Sequence, residues 1–364
     1  MQRPPHLVHV FPTFGIGGMQ LRIVSIVNAL GAEFQHTFVS LNGERDAARG
    51  LKPGIATTVA WPERTKAGPW RLRPFLRALG PDLVLTYNWG AFDALVASTV
   101  VPFCPVIHNE CGFSVEEAER LKWRRALARR LFLPRAFLTI AVSRKLVDLL
   151  TRQVRLDSNK LSFIRTGVDT DRFRPMARAE LRLTLGLRAN ELVFGFLGRL
   201  GPEKNVAFLL RAFSEARIPD SKLVIVGSGP EQESLARLAA DLGIAGRTLF
   251  TGFVEDPSRY FQTMDVFVMS SITEQTPNAL LQAMSCGLPC ISTDVGDSRE
   301  ILDGEGVVPN GDAARYVAAL SAMGASVEKR ACLGARNRRR CLNEYSQDKM
   351  VANYAKEYRK ACFL

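Results

Sequence analysis

No stretch of this 364-residue sequence is apolar enough, for the roughly 20 consecutive residues required, to cross a bilayer. The longest candidate, 94–107, is broken by Pro102 and Pro105. The start, MQRPPHLVHVF, enters a strand pattern at once and lacks the layout of a signal peptide. The seven cysteines are odd in number and form no C-x-x-C pair. That argues against a disulfide framework or a zinc site, and for reduced, mostly buried thiols in a cytosolic protein. Low-complexity segments, solenoid repeats and nucleic-acid-binding motifs are all missing, so no nucleic-acid partner is expected. Neither glycine-rich loop is a dinucleotide fingerprint. Counted from Gly15 the third glycine position of G-x-G-x-x-G is Gln20, and counted from Gly227 it is Gln232.

What remains is a globular composition, 47% hydrophobic and 23% charged, long enough for two domains with separate cores. Its charge is lopsided. Residues 1–183 hold 27 Lys and Arg against 15 Asp and Glu, whereas the rest of the chain balances, so the net +12 lies in the N-terminal half. Such an excess suits an anionic contact such as a membrane surface or a phosphorylated lipid; it also suits arginine-rich solvated faces.

Short apolar runs alternate with helix-length segments from end to end. Strands are predicted at 6–11, 37–41, 83–87, 105–108, 138–142 and 161–165, with helices at 19–30, 90–99, 116–131 and 144–150. After an interruption at 169–189 the rhythm restarts with strands at 192–197, 223–226, 248–251, 266–269 and 289–292. Repeated β–α alternation predicts an α/β fold with parallel sheets covered on both faces. We expect two doubly wound, Rossmann-like domains, 1–175 and 190–345. A C-terminal helix over 346–364, with Met350, Tyr354 and Tyr358 at helical spacing, is expected to pack back on the first domain.

The segment 270–297, SSITEQTPNALLQAMSCGLPCISTDVGD, is the most informative. A strand runs into a loop bearing Glu274, and Pro277 and Asn278 open a helix carrying Gln282, which Gly287 and Pro289 stop. A loop at the carboxyl end of a buried strand is where open α/β sheets bind ligands, and helix N-termini there suit phosphates. Upstream, LGRLGPEKN presents Arg199 and Lys204, two cations suited to a pyrophosphate. FPTFGIGGMQ brings Gly17 and Gly18 to a helix start, where backbone amides can approach a phosphate. Tyr87, Asn88 and Trp89 are expected to present themselves together at a strand end, where an aromatic beside amides suits a sugar.

Residues 274–289 resemble the signature of the retaining GT-B glycosyltransferases of family four, E-x7-E followed by A-M-x-x-G-x-P, with Gln282 in place of the second Glu. The glycine loop resembles that family's G-G-A-E, with Met19 and Gln20 at the last two positions, and 198–205 match its G-R-x-x-x-x-K-N. The resemblance implies two Rossmann-like domains facing a cleft and a metal-independent transfer from a nucleotide-diphospho-sugar. No cofactor is implied. Glu274 would bind the sugar, Gln282 the ribose, and Arg199 and Lys204 the leaving diphosphate. Amides at Gly17, Gly18 and the helix start at Thr276, Pro277 and Asn278 would help. Loops containing Gly227, Gly229 and Val254 would form a slot for the base. His108, at the end of its predicted strand, would face the anomeric side, with Asn88 on the acceptor side. The favoured family mechanism is front-face displacement, in which the departing phosphate takes the acceptor's proton.

Asp169–Thr170–Asp171 imitates a metal-binding D-x-D, but it reads as the family's interdomain turn G-V-D-x-x-x-F, with Phe173 packing. The expected acceptor is a glycan or lipid-linked sugar of the cell envelope, in polysaccharide or lipopolysaccharide synthesis. The basic segment 120–135 carries Leu121, Trp123, Leu127, Leu131 and Phe132 roughly on one face. It suits either a core-facing surface helix or an anionic membrane at the cytoplasmic face of the plasma membrane. Gln282, Met19 and Gln20 leave room for a catalytically impaired GT-B binding protein, or for a GT-B epimerase.

Overall fold

The computed structural model describes residues 3–61, 68–112, 121–176, 179–274 and 276–363. The chain divides into two compact units, Met1–Thr166 with Asp348–Leu364, and Gly167–Gln347.

The first unit holds a seven-stranded parallel sheet. Its strands are β1 (His6–Phe11), β2 (Gln35–Ser40), β3 (Ala56–Ala60), β4 (Leu83–Tyr87), β5 (Val106–Glu110), β6 (Leu138–Ala141) and β7 (Leu161–Phe163), in the order β3-β2-β1-β4-β5-β6-β7. β1, β4 and β5 are buried along their whole length, as strands covered on both faces are, and in β1 and β5 that burial takes in His9, His108, Asn109 and Glu110. The order reverses between β1 and β4. The loops leaving those strands meet, and a Cβ on Gly90 would run into the Pro12 ring.

The second unit is a six-stranded parallel sheet of β8 (Leu192–Leu197), β9 (Ser221–Val226), β10 (Thr248–Gly252), β11 (Val266–Met269), β12 (Cys290–Thr293) and β13 (Val307–Val308), ordered β10-β9-β8-β11-β12-β13. Its reversal lies between β8 and β11. Gly195 in β8 leaves room for the Met264 side chain against the strand.

Several details differ from the sequence-based expectation. β3 is not among the predicted strands: its ATTVA sequence is threonine-rich and only part-buried at a sheet edge. β13 is too short to leave a pattern. The division between units falls at Thr166/Gly167, and the segment beyond it packs with the second unit, where Phe173 and Leu187 enter the core. Arg182 from the same segment donates to the Thr263 and Glu191 carbonyls and pairs with Asp265 at 2.7 Å. Of the helix predicted at 116–131, residues up to 120 lie outside the described residues; the described helix is Trp123–Phe132. Its apolar stripe is divided. Leu121 is buried, but Trp123, Leu127 and Leu131 are 70%, 47% and 49% exposed.

The final helix, Gln347–Cys362, belongs to the first unit. Met350, Tyr354 and Tyr358 are buried in the same core as Leu7, Phe34 and Tyr87, and Arg359 forks onto Glu33 at 2.6 and 2.8 Å. Val168 bridges Ser346, with backbone bonds of 2.8 and 2.9 Å to Tyr345 and Gln347, which ties the start of the second unit to its end.

Candidate functional site

In the second unit, the loops leaving β8 and β11 flank the strand-order reversal, the position where open α/β sheets bind ligands. They are laced together. The Ile272 amide donates to the Glu203 carbonyl at 2.8 Å, and the Ser270 hydroxyl donates to the Lys204 carbonyl at 2.9 Å. Thr293 at the end of β12 donates to the Ser271 carbonyl at 2.7 Å, and Tyr316 to the Met269 carbonyl at 3.2 Å. Lys204 and Glu274 are thereby brought together: Lys204 Nζ is ion-paired with Glu274 Oε1, which also accepts from Ser271 Oγ at 3.0 Å. Arg199 stays largely exposed, its Nη1 3.7 Å from Glu203 Oε1.

Beside Arg199 lies a cavity of about 430 Å³ bounded by Gly198, Gly227, Gly229, Phe253, Val254 and Pro257. Its wall needs the two glycines. Gly227 has φ +129°, and a Cβ there would collide with the Gly198 carbonyl oxygen; a Cβ on Gly229 would collide with the Leu200 backbone. The close approach lets Leu200 N bond to Ser228 O at 2.9 Å. Phe253, 74% exposed at the rim, offers a flat apolar face.

The helix Asn278–Ser285 starts after a buried Pro277 with no side-chain cap, and the Leu280 and Leu281 amides turn in on the Pro277 carbonyl at 3.1 and 3.3 Å. Thr276 is half-buried just before it, Asn278 is exposed, and Gln282 is half-buried one turn further on. Arg338 anchors the far end of this helix through Ser285.

The first unit presents its own edge. Gly17 precedes the helix Gly18–Leu30, also without a side-chain cap, and Gln20 folds back so that its Nε2 donates to the Thr13 carbonyl at 3.0 Å. Asn88 accepts from the Cys111 amide at 2.7 Å and contacts the Met19 sulfur at 3.6 Å. Two expectations are corrected here. Tyr87 does not join Asn88 at the surface: its ring stacks on Phe11 in the core and its hydroxyl bonds His9 Nδ1 at 2.8 Å. His108 does not end its strand, because Asn109 and Glu110 continue β5 with partners in β4 and β6. It is fully buried, with Nδ1 2.7 Å from Thr86 Oγ1 and Nε2 3.5 Å from Glu110 Oε1. Glu110 is equally buried and pairs with Arg129 Nε at 2.6 Å. Burial alone would raise the Glu110 pKa, but Arg129 and His108 outweigh it and hold the carboxyl below its ordinary value.

Asp169 is a turn cap, its Oδ1 accepting from the amides of Asp171 and Arg172 at 3.1 and 2.9 Å. Among the described residues no group of three or more His, Cys, Asp or Glu is placed to hold a metal ion. Sequence reasoning does not single out Glu203, Ser271 or Phe253. The signals are present all the same: Glu203 lies four residues after Arg199, Ser271 three before Glu274, and Phe253 beside Val254.

Fold and site define a GT-B glycosyltransferase architecture, and comparison with known proteins agrees. The family model described as Glycosyltransferase Family 4 matches residues 16–172, and that described as Glycosyl transferases group 1 matches residues 191–325. The chain belongs to these group 1 glycosyltransferases. It is 30% identical over 213 residues to the Escherichia coli UDP-Gal:alpha-D-GlcNAc-diphosphoundecaprenol alpha-1,3-galactosyltransferase, covering 55% of this chain and 54% of that protein. It is 35% identical over 204 residues to the Mycolicibacterium smegmatis GDP-mannose-dependent alpha-(1-6)-phosphatidylinositol monomannoside mannosyltransferase, covering 52% and 53%. The chain thus spans about half the length of these relatives. The structure of Anabaena Alr3699/HepE in complex with UDP superposes with a TM-score of 0.84 at 18% identity, over 98% of this chain and 100% of that one, a likeness of fold.

Proposed function

We propose that this chain moves a sugar from a nucleotide-diphospho-sugar to a glycan or lipid-linked acceptor of the cell envelope. The observation that carries this reading is the meeting of Lys204 and Glu274 on the two switch-point loops, with Arg199 and the cavity alongside. Arg199 and Lys204 hold the diphosphate and stabilise the charge that develops as it leaves. Glu274 accepts from sugar hydroxyls. The cavity at Gly227, Gly229 and Val254 takes the base, Gln282 the ribose, and the helix start at Thr276, Pro277 and Asn278 a phosphate oxygen. In the first unit, Gly17, Gly18 and Asn88 are assigned to substrate binding, whereas His108, expected to face the anomeric side, is buried against Thr86 and is given no contact with substrate.

Transfer with retention follows if the departing phosphate itself takes the acceptor's proton, which calls for no protein nucleophile. Two protein cations at the diphosphate do the work for which a metal would otherwise be recruited, so we infer metal independence. The test is a panel of nucleotide sugars assayed for released nucleotide. Release that Glu274→Ala abolishes is expected. A complete lack of release with every donor, or release indifferent to that substitution, overturns the reading.

The two relatives act on a diphosphoundecaprenol-linked sugar and a phosphatidylinositol mannoside, and we extend the lipid-linked class of acceptor to this chain. The helix Trp123–Phe132 supports this. Trp123, Leu127 and Leu131 recur every four residues as an exposed stripe, with Lys122, Arg124 and Arg130 exposed around it. An apolar stripe set in arginines suits an anionic leaflet better than water. Flotation with phosphatidylglycerol vesicles should carry the protein, and Trp123→Ala with Leu127→Ala should release it. Absence of flotation sinks the membrane contact alone.

A further inference from the structure

Both cations assigned to the diphosphate are engaged by carboxylates of the chain itself. Lys204 is paired with Glu274, whose side chains are 23% and 15% exposed, so water screens this pair weakly. Arg199 faces Glu203, at 67% and 32% exposure. The Glu274 carboxylate is held in place, whereas Glu203 is anchored through its backbone. Ser271 holds Glu274 from its own loop, and the Glu203 backbone carbonyl is fixed by the Ile272 amide.

We propose that Glu274 and Glu203 compete with the diphosphate for Lys204 and Arg199, and that Glu274 by this means favours the intact donor over the spent nucleotide. The proposal rests on the donor-site reading above. A diphosphate entering the loops takes Lys204 from Glu274 and leaves a part-buried carboxylate without its cation, an unfavourable arrangement unless new donors replace it. An intact donor supplies them, because its sugar hydroxyls donate to Glu274. A nucleoside diphosphate brings about one further negative charge, on its freed terminal phosphate, and no sugar hydroxyls at that end. It therefore meets an uncompensated repulsion, and once it leaves Glu274 recovers Lys204. The carboxylate that grips the sugar before transfer thus expels the product afterwards. Glu203, more exposed, does the same to Arg199 more weakly.

The test is calorimetric titration of the full chain with UDP, GDP, ADP and dTDP, none of which carries a sugar. The nucleotide that binds wild type is carried forward to Glu274→Gln, Glu203→Gln, Lys204→Gln and the Glu274→Gln/Lys204→Gln double variant. Glu274→Gln is expected to bind that nucleotide about three- to ten-fold more tightly, the scale of a part-buried pair. Glu203→Gln should bind it more tightly by a smaller factor, and the double variant no more tightly than Lys204→Gln alone. If wild type binds but Glu274→Gln binds equally or more weakly, the competition is overturned while the donor-site reading stands. If no nucleotide binds wild type saturably at millimolar concentration, that reading falls and the competition with it. Glu203→Gln leaves the Lys204 pair intact, and it keeps the question answerable should Glu274→Gln fail to fold.

Discussion

Arg338 Nη1 lies 2.8 Å from the Ser285 carbonyl oxygen and 3.0 Å from the Ser285 hydroxyl. The same nitrogen reaches the carbonyls of Thr170 and Phe173, each at 3.0 Å, and Ser285 Oγ itself donates to Phe173 O at 2.5 Å. One guanidinium thus pins the end of the Gln282-bearing helix to the segment that opens the second unit. Arg338→Ala should destabilise the second unit by about 3 kcal/mol, since several carbonyls lose a charged donor at once. Urea unfolding followed by far-ultraviolet circular dichroism measures it, and a loss within about 0.5 kcal/mol contradicts the pinning.

Gly227→Ala tests the cavity wall. The residue sits at φ +129° with the Gly198 carbonyl in the space a Cβ would need. Accommodation would push the loop after β8 outward and move Arg199. Nucleotide affinity should fall at least about ten-fold, with a modest loss of stability. Unchanged affinity in the same calorimetry would show that this loop contact is irrelevant to binding.

Gln282→Glu addresses the departure from the family pattern. A carboxylate accepts from both ribose hydroxyls, whereas an amide accepts through one oxygen and offers donors instead. Restoring a charge-assisted bond should tighten nucleotide binding about ten-fold, equivalent to roughly 1–2 kcal/mol. Unchanged or weaker binding would mean that Gln282 is matched to something other than a standard ribose.

Acid should weaken the first unit through its buried imidazoles. His9 bonds the Tyr87 hydroxyl and, at 3.0 Å, His36 Nδ1, while His6 bonds Thr37. Burial, reinforced by His36 and His6, holds His9 well below the ordinary imidazole value, and burial with His6 brings His36 to about 4. The unfolded chain takes up these protons near pH 6.5, before the native state can. The stabilising contribution is therefore complete above pH 6.5 and declines as pH falls toward 4, by up to about 1.4 kcal/mol per pH unit for each histidine. Glu110 adds acid sensitivity only below its ordinary value of 4.5, so the window from 6.5 to 4.5 belongs to the histidines. All four tryptophans (Trp61, Trp70, Trp89 and Trp123) lie in the first unit, so fluorescence-monitored unfolding reads it directly. His36→Gln should flatten the slope, and an unaltered slope would exclude the pair as its source.

Most of the fold was legible because buried parallel strands are continuous apolar runs, which a sequence displays openly. The strand at 266–269 and the loop and helix after it came through nearly unchanged. What was hidden was hidden for local reasons. β3 lies at an edge and alternates threonine with alanine, so no apolar run marks it. Arg129 and Glu110 read as solvated charges, yet they neutralise one another at zero exposure, which turns Leu127 and Leu131 outward on the same helix. In the site, motif spacing pointed to Arg199, Lys204 and Glu274. It could not reveal that Glu274 faces Lys204, because that depends on the packing of two loops 70 residues apart, whereas Glu203 lies only four residues from Arg199 on one loop.

The return of the last helix to the first unit has a consequence for how the molecule is made. Residues 167–347 form one uninterrupted stretch and can complete their core as soon as they leave the ribosome. The first unit, although synthesised earlier, must wait for Met350, Tyr354 and Tyr358 to close over Leu7, Phe34 and Tyr87. Until then the part of this core that the last helix completes, beside Ile23, Val24, Ile26 and Val27, stands open through the synthesis of the entire second unit. The nascent chain is thus most vulnerable to aggregation, and most in need of a chaperone, in the half that is translated first.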